Sequence, residues 1–167
     1  MREGRYVEAA SRFTEALAEA PDRVEVLVSL GVAHYRAGLY RTAIGPLGRA
    51  VLLEPDRPDA RAYLALTYLA LEEQAAAERQ LGALLGLNAH PRIVAQARRA
   101  IALLQSGALP TDVREFVRYS LEDELAWQEE VLEARLAPHM YFGPAWFVGD
   151  SAGWHPLGLY PYGVLRP

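Results

Sequence analysis

One self-match governs what this chain can fold into: shifted by 34 residues, the sequence aligns with itself. Gly4, Tyr6, Ala9, Phe13, Ala16 and Pro21 fall on Gly38, Tyr40, Ala43, Leu47, Ala50 and Pro55, and the triplet Pro21-Asp22-Arg23 returns as Pro55-Asp56-Arg57. A weaker third copy places Leu30, His34, Ala43 and Leu47 on Leu64, Tyr68, Ala77 and Leu81. A period of this length is one helical hairpin, and a hairpin cannot bury its apolar face alone, so copies stack into an array.

The residue types fit the geometry. Leu27, Leu30 and His34 recur at i, i+3 and i+7, which draws one stripe along a helix. Gly31 is small where a second helix must come close. Gly38 ends the first helix of the hairpin, because glycine accepts the positive φ of that turn. Ala43, Leu47 and Ala50 stripe the second helix, and Pro55 stops it. Pro46 lies inside that second helix and is expected to kink it or remove one hydrogen bond.

These residues resemble the tetratricopeptide repeat over roughly residues 2–106. The middle copy reads Leu27-x2-Leu30-Gly31-x2-His34, then Ala43-x3-Leu47, then Pro55. Departures fall in the third copy, where Arg61 replaces a large apolar residue, Ala65 replaces Gly, and Ala89 replaces Pro with Pro91 two residues on. The first copy begins halfway, in the turn before its second helix. Either a partner covers the exposed half, or chain precedes Met1. Compartment is left open, with cytoplasmic as the default.

The expected fold is all-α: a solenoid of helical hairpins, with capping helices and an irregular C-terminal arm. Residues 1–106 form the repeats, 107–137 one or two further helices, and 138–167 the arm. Within the first segment, Pro91 opens a last helix striped by Ile93, Ala97, Ile101 and Leu104. In the second, Val113, Val117, Leu121, Leu125, Leu132 and Leu136 share a face. Asp112 with Glu115 opens this helix, and Ser120 with Asp123 is a second capping pattern that could split it. The last thirty residues hold five Pro, five Gly and seven aromatics. Disordered tails are poor in aromatics. Burial of these rings and the entropy of ordering the segment nearly cancel, so the arm needs another surface. Trp146 and Trp154 are its expected anchors.

Composition narrows function by exclusion. With no Cys, the chain has no thiolate zinc site, disulfide or Cys nucleophile. The net charge of -4 argues against nucleic acid, whose phosphates require a basic surface. No apolar run is long enough to span a bilayer. All seventeen basic residues are Arg, which reads as the codon bias of a GC-rich, bacterial genome. The histidines lack metal-ligand spacing, and no cofactor is expected.

One catalytic pattern requires a test. Gly149-Asp150-Ser151-Ala152-Gly153 matches the G-x-S-x-G of a nucleophile elbow, which works only between a strand and a helix, with an acidic residue and then His later in the chain. Pro156 and Gly158 oppose a following helix, and no acidic residue follows Ser151. The segment therefore reads as a Gly-rich turn, and the protein as a non-enzyme.

The resemblance implies a protein partner, held on the concave surface lined by the first helix of each hairpin. By spacing, that face comprises Glu25, Val28, Val32 and Tyr35, then Asp59, Ala62, Leu66 and Leu69. Relatives that grip a C-terminal carboxylate use Lys, Arg and Asn here. This face is apolar with acidic edges, and suits an apolar or aromatic segment. The expected function is an interaction adaptor; the alternative is a structural subunit of a larger assembly, anchored by the aromatic arm.

Overall fold

The computed structural model describes residues 2–106, 110–136, 147–150 and 153–156. It divides into two units, Met1–Ala126 and Trp127–Pro167.

The first unit is built from α1 (Arg2–Glu19), α2 (Val24–Arg36), α3 (Tyr40–Leu53), α4 (Pro58–Ala70), α5 (Gln74–Leu84), α6 (Pro91–Gln105) and the first part of α7 (Thr111–Leu136). Each of the first six helices packs on its neighbour in the chain, and α2 also packs on α4. That combination defines stacked hairpins: the first helix of a pair touches its own partner and the first helix of the next pair. The fold is an all-α helical repeat.

The 34-residue register is visible in the packing. Ala43, Leu47 and Ala50 are completely buried, and so are Ala77 and Leu81 one period later. Gly31 lies directly beneath the Leu47 side chain, leaving no room for a Cβ. One period on, Ala65 fills that place and is completely buried, so the array closes around a methyl group there. Arg61, in place of a large apolar residue, lies half-buried. Its guanidinium donates to the Pro55 carbonyl at 2.8 Å and to Gln80 at 3.3 Å.

The hairpin turns repeat as well. At the end of α2 the amide of Gly38 donates to the Tyr35 carbonyl, and that of Leu39 to the His34 carbonyl, with Gly38 at φ 75°. At the end of α4 the amides of Glu72 and Glu73 donate to the Leu69 and Tyr68 carbonyls, with Glu72 at φ 62°. Both are Schellman turns, which require a left-handed residue after the helix. Glycine supplies it without strain in one repeat, and glutamate is held there in the next.

Two local alternatives are resolved. α3 runs unbroken through Pro46 from Tyr40 to Leu53, so the cost is the missing proline N–H rather than a break. α7 is one continuous helix from Thr111 to Leu136. The second capping pattern at Ser120 does not divide it, because Leu121 and Leu125 on either side of Asp123 are both buried on one face and keep the helical register through it. The first unit includes this helix as far as Ala126.

Charged residues tie the hairpins together at their edge. Arg57 reaches Glu25 at 3.3 Å, Glu54 at 3.2 Å and Asp59 at 3.0 Å. The Arg57 side chain is about one quarter exposed, so it is screened less than the isolated surface pair Arg49–Asp22.

In the second unit, β1 (Phe147–Asp150) and β2 (Gly153–Pro156) pair antiparallel, with Phe147 opposite Pro156 and Asp150 opposite Gly153. The Pro- and Gly-rich segment thus includes two short paired strands. Both strands are edges, so Pro156 can end one without breaking a central ladder. The rest of residues 138–167, including Trp146, lies outside the described residues.

Candidate functional site

The face assigned to a partner is built from α2 and α4, and most of it is buried. Val28, Tyr35, Ala62, Leu66 and Leu69 are each 7% exposed or less. Val32 and Asp59 are half-buried, and Glu25 is exposed. Val28 packs with Val24, Leu27, Ala50 and Ala60, inside the stack. Tyr35, Ala62, Leu66 and Leu69 belong instead to a cluster that also contains Val117, Leu121 and Leu125 of α7. Glu25 and Asp59 form the acidic edge, with Arg57 between them. A backbone hydrogen bond first, and Arg57 second, hold the Glu25 carboxyl below the usual carboxylate range.

α7 therefore lies across the face that the sequence assigned to a partner. Its apolar positions recur every four residues, the spacing that keeps one stripe of a helix turned inward. Polar contacts flank the stripe on both sides. The Tyr35 hydroxyl donates to Glu122 at 3.0 Å and accepts from Arg118 at 3.1 Å. Arg114 pairs with Glu72 at 2.9 Å. Glu124, only 6% exposed, faces Arg92 at the start of α6 as an ion pair. α7 thus touches the ends of α2, α4 and α6.

Tyr35 is the centre of this arrangement. Its ring meets Tyr40 at 5.5 Å and Tyr63 edge-on at 5.9 Å, the offset geometry that aromatic quadrupoles favour. Arg36 donates to the Tyr63 hydroxyl at 3.0 Å. Burial, and then the Glu122 carboxylate, push the Tyr35 phenol well above its ordinary pKa. It stays a donor throughout the physiological range.

Beside the Tyr35–Arg118 contact, a polar cleft of about 160 Å³ opens between Tyr40, Leu69 and Glu72 on one side and Thr111, Arg114 and Arg118 on the other. A larger, more apolar cleft of about 350 Å³ separates α6 from α7, bordered by Arg99, Leu103, Phe116 and Val117. Phe116 and Tyr119 project outward from α7, 66% and 56% exposed.

The remaining sequence candidates are placed as follows. His34 is half-buried in the stack, and its Nδ1 meets no hydrogen-bond partner among the described residues. Burial lowers its pKa from 6.5. His90 is exposed at the N-cap of α6, where Nδ1 accepts from the Arg92 amide at 3.3 Å. Trp154 stands opposite Gly149 in the hairpin. The same hairpin bears on the G-x-S-x-G motif: the strand Gly153–Pro156 follows where an elbow requires a helix. Sequence reasoning missed Arg118, Glu122 and Glu124, whose signal was their position beside the Val117–Leu121–Leu125 stripe, and Arg92, in the first turn of α6.

Stacked hairpins with a face built from their first helices define a helical-repeat interaction fold. A family model described as tetratricopeptide repeat matches residues 1–52. Residues 1–52 are thus similar to that family, and the same hairpin packing continues through α4 and α5. No curated protein matches the chain. Tetratricopeptide repeats generally mediate protein–protein interaction and are typically non-enzymatic, so a protein partner is implied. Among the described residues, no helix is long and apolar enough to cross a membrane.

Proposed function

We propose that the protein is an interaction adaptor that holds an apolar segment of another protein on the face of α2 and α4. The observation that carries this reading is the occupancy of that face: an amphipathic helix of the chain itself hydrogen-bonds Tyr35 and shares one buried cluster with Leu66 and Leu69. A surface that buries Val117, Leu121 and Leu125 has the shape and polarity to receive such a segment. Its charged flanks add orientation, as the Tyr35–Glu122 and Arg92–Glu124 contacts do for α7. Affinity capture with the full chain, followed by hydrogen-exchange footprinting of the complex, tests the reading. Altered protection on α2, α4 and α7 is the expected result. A footprint confined to other surfaces, or no specific partner, counts against it.

A second reading, a structural subunit of a larger assembly, is favoured by one observation. Phe116 and Tyr119 stand exposed on the outward side of α7, where aromatic side chains make strong interface anchors. Size-exclusion chromatography of the full chain and of a chain ending at Ala137 separates the readings. A subunit should aggregate or associate in a way the shorter chain does not. An adaptor should run as a discrete soluble species in both forms.

A further inference from the structure

The partner face and the helix that covers it specify one another. α7 presents a defined pattern, Val117-x3-Leu121-Glu122-x-Glu124-Leu125, and the groove answers each element of it. The aliphatic side chains enter the buried cluster with Leu66 and Leu69. Glu122 meets the Tyr35 hydroxyl, which is itself buried. Glu124 meets Arg92. We infer that α7 is a resident competitor: the groove recognises amphipathic helices with aliphatic residues at i, i+4 and i+8 and carboxylates beside the last two, and a partner helix binds by displacing α7. The inference rests on the adaptor reading and adds to it the class of ligand and the means by which access is controlled.

Three features of the interface favour exchange over permanent burial. Among the described residues, the buried apolar side chains of α7 are Val117, Leu121 and Leu125. Its remaining contacts are polar, and two of them reach solvent on one side: Arg92 is about half exposed, and Glu72 about two thirds exposed. Glu124 is almost completely buried, yet its Oε1 lacks an aligned hydrogen-bond donor among the described residues. A buried carboxylate held by one ion pair contributes less than an apolar contact of the same volume. Interfaces that mix a small apolar centre with polar margins resemble those between partners that come apart. A ligand helix bearing the same pattern makes the same contacts, and contacts beyond them shift the exchange toward it.

Two measurements test this. The first is native-state hydrogen exchange on the full chain. Amides of residues 111–126 should exchange well before those of α4, through an opening that leaves the hairpins folded. Exchange of α7 and α4 in step overturns the inference, because α7 is then part of the cooperative core. The second uses a labelled synthetic peptide of residues 111–126, with binding followed by fluorescence anisotropy. The full chain carrying Leu121→Ala should bind it about tenfold or more tightly than the unaltered chain, since a weakened resident leaves the groove open more of the time. Peptide in which Glu122 and Glu124 are replaced by Gln should bind several-fold more weakly than the parent peptide. Equal affinity of both chains for the parent peptide overturns the inference, as does indifference to the two carboxylates. If Leu121→Ala fails to fold, the exchange measurement on the unaltered chain decides alone. Failure of the peptide to bind while a captured partner still footprints on α2 and α4 rejects helix recognition and leaves the adaptor reading standing. Peptide binding without any captured partner does the reverse.

Discussion

Leu47 occupies the space that a side chain on Gly31 would need. The contact joins the two helices of one hairpin, α2 and α3. Gly31→Leu should therefore lower stability by about 1–3 kcal/mol through overpacking. Leu47→Ala should lower it by about 2–5 kcal/mol through the cavity it leaves. The pair Gly31→Ala with Leu47→Ala should cost less than the sum of its parts, because the first methyl partly fills the second's void. Denaturant midpoints of the four chains measure the coupling, and strict additivity would mean that the two residues do not share the space.

Tyr35→Phe removes a buried hydroxyl that bridges Arg118 and Glu122. Its loss should cost roughly 1.5–3 kcal/mol, the range for hydrogen bonds to charged groups. Arg118 remains 3.8 Å from Glu122 and takes up part of the charge. The effect should appear mainly as faster hydrogen exchange in residues 111–126. A uniform effect over α2–α5 would place Tyr35 in the stack rather than beneath α7.

The turns after α2 and α4 predict opposite responses to one kind of substitution. Gly38 adopts φ 75°, so Gly38→Ala should destabilise by about 1 kcal/mol or more. Glu72 adopts φ 62°, so Glu72→Gly should relieve a similar strain. The lost pair with Arg114 offsets little, since Glu72 is about two thirds exposed and such pairs contribute about 0–1 kcal/mol. Thermal melts of both variants check the signs, and a clear loss of stability in Glu72→Gly would show that the Arg114 pair outweighs the backbone.

His34 makes stability depend on pH in one direction. Burial lowers its pKa below 6.5, so the unfolded chain takes up this proton at a higher pH than the folded chain. The contribution is complete above about pH 6.5 and is lost as pH falls from there through the folded value. Between about pH 8 and about pH 5.5, the unaltered chain should lose more stability than His34→Phe. Parallel pH profiles of the two chains would assign the dependence to other groups.

The hairpins were legible in the sequence because their determinants are local and periodic. Gly38 announces a left-handed turn, Pro91 a helix start, and Leu27, Leu30, Ala43 and Leu47 the stripes that meet. The aliphatic stripe of α7 was equally legible. Where it docks was not, because nothing local in Val117, Leu121 or Leu125 says which surface receives them. The spacing argument placed Leu66 and Leu69 on a partner face, and could not reveal that the chain buries both. Glu72 hid the second Schellman turn, since glutamate rarely adopts positive φ. The hairpin at Phe147–Pro156 was masked by its Gly and Pro content, which reads as irregular backbone unless both strands are edges.

Only five residues, 106–110, join α6 to α7. A segment on so short a connection is presented to its own groove at an effective concentration on the order of millimolar. A free helix at micromolar concentration that merely copied α7 would lose that contest by about a thousandfold. The tether thus sets a threshold: a successful partner must either bring contacts that α7 lacks or arrive in several linked copies, and weak chance encounters with amphipathic helices are filtered out before any sequence is read.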